Sequence, residues 1–256
     1  MKTKLNIRHI AASAAAFLTL GIPALAQDND TGAILDRFAA DYLQDFTFNQ
    51  SVEFGVLVDG DDWWTVSMDH DAGSYTVTQA QPQTPTLYFP ATSEVLALVD
   101  RGEMTALTAM VKAFSTDVSP MDMDLMEGAA FDPGMLAQTF HFWTRGNPEI
   151  INFNDLQTRF VHGGNAAVFY YQPGFRSGFG YVMPGQHVNE DERSRTNEFE
   201  TLIIFLEGRA TARLNGVDQE VHGGQAIFIP AGMTHEFLNP YDEPAQFLLF
   251  MFGEGA

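Results

Sequence analysis

Apolar residues recur every three or four positions over AILDRFAADYLQDF (33–46). Ile34, Phe38, Tyr42, Leu43 and Phe46 share one face there, and the spacing predicts an amphipathic helix. The period then drops to two. Strand-length runs at 51–58, 63–68 and 74–79 are divided by Asp59-Gly60-Asp61 and by a polar break at 69–73, the chemistry of hairpins. A fourth run, 86–89, passes through Pro90 to Thr92-Ser93-Glu94, an N-cap ahead of a helix over 95–101 that Gly102 stops. A second helix is predicted over 103–113, an alternating edge strand over 121–126 and a closing helix over 133–143. Of Trp63 and Trp64, one should face a core and one should face out.

A polar stretch with Gly146, Asn147, Pro148, Asn152, Asn154, Asp155 and Gly163 reads as a linker and entry strand. Beyond it the strands come short and dense: 166–171, 178–183, 201–206, 210–214, 218–221, 226–229, 236–238 and 246–251. Pro173-Gly174, Pro184-Gly185, Glu207-Gly208, Asn215-Gly216 and Gly223-Gly224 separate them, and Asn215-Gly216 is the strongest short hairpin signal in the chain. This punctuation favours a closed or double-sheet antiparallel barrel. The expected organisation is an α+β domain over 32–157, an antiparallel sheet with helices, followed by an all-β domain over 158–256.

The first 26 residues change the picture of where the protein works. Lys2, Lys4 and Arg8 precede an apolar stretch of small residues, and Ala24-Leu25-Ala26 offers a small-x-small cleavage pattern before polar sequence. That is a secretory signal peptide rather than a membrane span, the competing reading being an N-terminal amphipathic helix. Export to the periplasm or the medium follows. Removal of the signal leaves ten basic residues against thirty-three acidic, a formal charge of −23, with Lys112 the one remaining lysine. Such a surface disfavours nucleic acid and anionic membrane as partners, and it suits solubility in a salty or acidic medium better than any specific cationic partner. No cysteine is present, so export brings no disulfides and packing alone must hold the fold.

Candidate chemistry concentrates in GQAIFIPAGMTHEFLN (224–239). A short strand meets Pro230, which ends the ladder, and Gly232 supplies a conformation that a side chain would resist. The corner aims His235 inward from the start of the next strand. Glycine, five residues, proline, one, glycine, two, histidine, three, asparagine is the second signature motif of the cupins, and the segment resembles it at every constrained position. The resemblance implies a jelly-roll barrel, with His235 where the family places a metal ligand, and a pairing of barrels into a homodimer. In that family a first motif supplies two further histidines and a glutamate, completing a site for Fe, Zn, Mn or Ni. Here the strand TLIIFLEG ends at Gly208; counting back puts Thr201 at the glutamate position, with Glu200 one residue away, and the histidine positions near Arg195 and Asn197.

The motif is therefore degenerate where ligands belong, because a guanidinium has no lone pair to give. One rearranged donor set remains conceivable: His187, Glu200 and His235, two imidazoles and one carboxylate. Without a metal, the barrel would still offer a small-ligand pocket in which Arg195 clamps a carboxylate and His235 and Asn197 give polar contacts, with Glu200 nearby. The competing readings are structural. His235 would be an interior histidine held by Asn239 or a backbone carbonyl, and Arg195 a rim residue paired with nearby acids. His70, His141, His162 and His222 belong to no constellation legible in the sequence.

The order of helix, meander and TLYFPATSEVLALVDRGEMTALTAMVKAF in the first half resembles the sterol-carrier-protein-2-like fold. That resemblance implies a five-stranded sheet covered by helices around an apolar tunnel, with a lipid-like cargo. Met104, Leu107, Met110, Val111, Met121, Met123 and Met126 would be adaptable liners of such a tunnel, or would simply fill a core. No nucleophile elbow, phosphate loop, zincin helix or dinucleotide fingerprint occurs. Two functions of different class follow. One is an exported accessory protein binding a small organic or lipid-like molecule; the other is a metal-dependent lyase, isomerase or oxygenase acting on a small organic acid.

Overall fold

Asp30 accepts a hydrogen bond at 3.2 Å from the Ala33 N–H and so starts α1 (Thr31–Tyr42). The computed structural model describes residues 30–144 and 150–256. The leader predicted over 1–26, with Gly146, Asn147 and Pro148 of the linker, lies outside the described residues. Ile34, Phe38 and Tyr42 are buried as their spacing requires. The helix stops one turn short of its pattern, however, and Phe46, swung into the following turn, is 91% exposed.

The hairpin runs form β1 (Val52–Val58), β2 (Asp62–Asp69) and β3 (Ser74–Thr78), and the Pro90 run forms β4 (Leu87–Ala91). Thr92 caps α2 (Ser93–Asp100), its hydroxyl accepting from the Val95 N–H at 3.1 Å. The short helix α3 (Ala106–Met110), the short strand β5 (Asp124–Leu125) and the helix α4 (Pro133–Thr144) complete the first domain. The sheet has five strands in the order β3-β2-β1-β4-β5. An antiparallel sheet was expected, but this one is mixed, because β1 and β4 run parallel. Residues between β3 and β4 must carry the chain across the sheet, so β4 enters beside β1 instead of beside β3.

Phe38, Phe54, Phe89, Phe142 and Trp143 fill the layer between sheet and helices, each no more than 2% exposed. Met104 and Met121 belong to that core, so they pack as filler and do not line a tunnel. Trp64 is the inward member of its pair, packed on the core, while Trp63 packs at a tilt against Tyr88 with ring centroids 5.1 Å apart.

The helix predicted over 103–113 is cut to five residues by contacts across the domain boundary. Thr105 caps α3 from below, and Val111 is already extended. The strands of the second domain explain this. They are β6 (Arg159–Val161), β7 (Gly164–Gln172), β8 (Phe175–Val182), β9 (His187–Val188), β10 (Glu200–Glu207), β11 (Arg209–Leu214), β12 (Val217–His222), β13 (Ala226–Ile229), β14 (His235–Leu238) and β15 (Ala245–Phe252). Val168, at a bulge in β7, donates its N–H to Thr108 Oγ1 at 2.8 Å, and its carbonyl accepts from the Thr105 and Thr108 hydroxyls. Arg159 donates to the Ala109 and Val111 carbonyls that the end of α3 leaves open. The first domain is thereby bolted onto the edge of the second.

Two sheets face each other in the second domain, β13-β10-β15-β8-β7-β6 and β12-β11-β14-β9. Ile203, Phe205, Ala210, Ala212, Ile229 and Phe237 are buried between them. Both sheets are antiparallel throughout, as the dense turns predicted. Among the described residues no helix is long and apolar enough to cross a membrane.

Candidate functional site

The Pro230-Ala231-Gly232 corner forms as its sequence dictates. Gly232 adopts φ +78°, the Met233 N–H returns to the Pro230 carbonyl at 3.1 Å, and the chain re-enters as β14 with His235 first. Alternation along β14 then sends His235 and Phe237 inward and Glu236 to the opposite face. His235 is 4% exposed. Its Nδ1 lies 3.1 Å from the Met233 carbonyl, which can only accept, so Nδ1 carries the proton and Nε2 keeps its lone pair. The holder is thus a backbone carbonyl. Asn239 is occupied elsewhere, donating to the carbonyls of Val182 and Glu243 at 2.7 and 2.8 Å.

His235 lines a cavity of about 450 Å³ enclosed by the inner faces of the two sheets. Leu107 and Met110 of α3 and Phe140 of α4 contribute to its wall, so the first domain supplies part of the lining. Asn197 and Thr201 share the cavity, with Asn197 Nδ2 donating to Thr201 Oγ1 at 3.3 Å. The segment before β10 is tied to the corner by two backbone bonds of 2.8 Å, Gly232 N–H to the Asn197 carbonyl and His235 N–H to the Arg195 carbonyl.

The other residues expected at the site do not meet there. His187, on β9, sits opposite Leu238 of β14 and turns away from the cavity, its Nε2 2.8 Å from Glu236 Oε2. Arg195 lies on that same outer side, 3.6 Å from Glu236 Oε1, and donates to the Glu190 carbonyl at 2.8 Å. It is a structural ion-pair member and no carboxylate clamp. Glu200 opens β10 exposed, because the residue facing inward at that end of the strand is Thr201. The set His187, Glu200 and His235 is therefore not assembled. Period-two alternation puts His187 and His235 on opposite faces, and among the described residues no three His, Cys, Asp or Glu side chains converge as metal ligands. An amide and a hydroxyl beside one imidazole are a poor donor set for Fe, Zn, Mn or Ni. The residues present do not fit such an ion.

Three groups of consequence were not legible as site residues. His162, in the turn after β6, is left-handed at φ +51°, and its buried Nδ1 has no hydrogen-bond partner among the described residues. Asn189, also left-handed, donates to the His235 carbonyl at 3.3 Å and lines the cavity wall. Arg176 lines the cavity from β8; its strand reads in sequence as beginning at Gly178, which leaves the arginine in a turn. The alternation Arg176, Gly178, Gly180 on one face was the available signal.

Burial holds His235, His162 and His141 below the ordinary imidazole value of about 6.5. The sign follows directly. These rings stay neutral in the folded protein, whereas the unfolded chain takes up protons below about pH 6.5. Their contribution to stability is therefore complete above that pH and is lost as pH falls through the depressed native values. The melting temperature should drop between pH 7 and 5, and His235→Gln should flatten that drop. Identical pH slopes for the two proteins would contradict the assignment. The comparison cancels the opposing relief of acidic repulsion, which both proteins share.

Residues 179–251 match the family model of the cupin domain. Among solved structures, the chain is similar to a Cupin 2 conserved barrel domain protein from Salinispora arenicola CNS-205, at 24% identity over 42% of this chain and 90% of that one, with a TM-score of 0.37. It is also similar to the polyketide cyclase RemF from Streptomyces resistomycificus, at 23% identity over 41% of this chain and 80% of that one, TM-score 0.37. A predicted oxalate decarboxylase from Thermotoga maritima is similar at 16% identity over 41% and 98% of the two chains, TM-score 0.36. No curated protein matches the chain. The C-terminal half has the β-rich cupin fold.

Proposed function

We propose that this is an exported two-domain binding protein that holds one small, largely apolar organic molecule inside its cupin barrel, without a resident metal. The observation that carries the reading is the cavity of about 450 Å³ in which Asn197, Thr201 and His235 replace a ligating set. Its volume falls within the roughly 300–1,000 Å³ of small-molecule sites, and its wall is mostly aliphatic and aromatic with a few converging polar groups. Each buried ligand methylene adds about 0.8 kcal/mol, so apolar contact alone can supply useful affinity. In this reading the first domain is sterol-carrier-like in its helix–meander–crossover order and serves as the lid, its α3 and α4 lying over the barrel mouth.

His235 then acts as a hydrogen-bond acceptor at Nε2, since Nδ1 is spent on Met233. Native mass spectrometry of the mature protein purified from the periplasm tests the reading. One organic molecule per chain is expected, lost in a folded Met251→Trp variant that fills the cavity. Stoichiometric Fe, Zn, Mn or Ni that disappears in His235→Ala would overturn the metal-free role and favour a metal-dependent enzyme.

A further inference from the structure

We infer that Arg176 anchors an acidic head group and that the molecule held in the cavity is an apolar monoanion, a carboxylate with a hydrophobic body. The inference rests on the binding reading above and names the ligand class. Although the chain carries thirty-three acidic residues, none of those among the described residues lines the cavity; the charged wall residues described are Lys112, Arg176 and Arg193. Two of these cations are already matched. Lys112 pairs with Asp122, and Arg193 pairs with Asp191 at 2.7 Å while its guanidinium covers the Phe114 ring. Arg176 has no acid or hydrogen-bond partner among the described residues, only the Tyr171 ring at 5.7 Å.

Its place in the sheet directs it. Arg176 sits opposite Tyr171 on β7 and opposite Met251 on β15, and Met251 sits opposite Thr201 on β10. All four line the cavity. Further along the same face of β8 come Gly178, opposite Leu249, and Gly180, opposite Phe247, whose ring lies over Gly180 where a side chain would otherwise stand. Met251, Leu249 and Phe247 all line the cavity over four residue steps of β15, so at about 3.4 Å each they make an apolar wall of roughly 14 Å running from the guanidinium. Burial also depresses the Arg176 pKa, but a guanidinium keeps its charge in a protein, and this one meets no counter-charge among the described residues. A carboxylate can accept two parallel N–H bonds from such a fork.

Calorimetric titration of the full mature protein at pH 7.5 with octanoate and with octan-1-ol tests this. Octanoate should bind at least about tenfold more tightly than the alcohol. Arg176→Gln should weaken octanoate by on the order of ten- to a hundredfold and leave octanol within about threefold. Arg176→Lys, which keeps charge and loses the fork, should fall between them, and this graded series separates anchoring from misfolding. Equal binding of acid and alcohol, or acid binding indifferent to Arg176→Gln, overturns the anchor while leaving the cavity reading intact. Binding of neither probe overturns the cavity reading and the anchor together.

Discussion

Gly208→Ala should leave the second domain unfolded at temperatures where Gly216→Ala still folds. Both glycines occupy left-handed backbone, φ +71° and +79°, in tight turns of the same domain. A side chain at either position meets the ordinary left-handed penalty of about 1–2 kcal/mol. They differ in what lies beside them. A Cβ at Gly216 meets nothing within 4 Å, whereas one at Gly208 would sit 2.0 Å from the Pro244 carbonyl oxygen and 2.8 Å from its carbon. Those are backbone atoms at the entry to β15, and β15 pairs with β10 and β8 along nearly its whole length. They cannot retreat without shifting the central strand of the six-stranded sheet. Gly208 also accepts from the Gly223 N–H at 3.0 Å, which fixes it from the other side. A cost above about 4 kcal/mol is expected, a large share of the roughly 5–15 kcal/mol by which a domain is stable. Thermal melts followed by circular dichroism decide it; curves for the two variants within about 2 °C of each other would refute the close-approach argument.

Why the barrel could be read so well, and the site so much less, is visible in single residues. Turn chemistry is local, so Asn215-Gly216 and Pro230-Ala231-Gly232 declare themselves, and β13 spans the predicted 226–229. Inward and outward positions on a strand follow from alternation once its start is known. The start of β8 was not known, because Phe175 and Arg176 follow Pro173-Gly174 closely and join the ladder through Gln172 and Tyr171 across the hairpin and through Phe252 and Met251 of the remote β15. Arg176 was lost with them. β9 is two residues long and exists only through its partner β14, fifty positions away, so no local pattern marks it. That one short pairing decides which way His187 faces. The shortened α3 has the same origin: its 3.6-residue periodicity is intact in sequence, but Thr105, Thr108 and Arg159 spend the neighbouring backbone groups on the domain contact. Where a residue's direction depends on a remote strand or on the other domain, sequence periodicity carries no information about it.

Asn197→His combined with Thr201→Glu should convert the cavity into a metal site. His235 already has the tautomer a metal-binding imidazole needs, since Nδ1 donates to the Met233 carbonyl and Nε2 keeps its lone pair. Asn197 and Thr201 are in hydrogen-bond contact at 3.3 Å, and both line the same cavity as His235. The backbone bonds from Gly232 and His235 to the segment before β10 hold that segment against the corner. Two imidazoles and one carboxylate would then converge on supports that are fixed before the metal arrives. Zinc or nickel should bind the double variant at one ion per chain, at least on the order of 10³-fold more tightly than the unaltered protein, or about 4 kcal/mol. Adding His235→Ala should abolish that gain. Adding His187→Ala should not, because His187 lies across the sheet with Glu236. A folded double variant that binds no metal by elemental analysis, or one whose binding depends on His187, would mean that the inner face of this barrel is not arranged as described. The reciprocal conclusion is physical: an amide and a hydroxyl in place of an imidazole and a carboxylate are enough to turn a metal cradle into a neutral wall, and a neutral wall is what an apolar acid anchored at Arg176 requires.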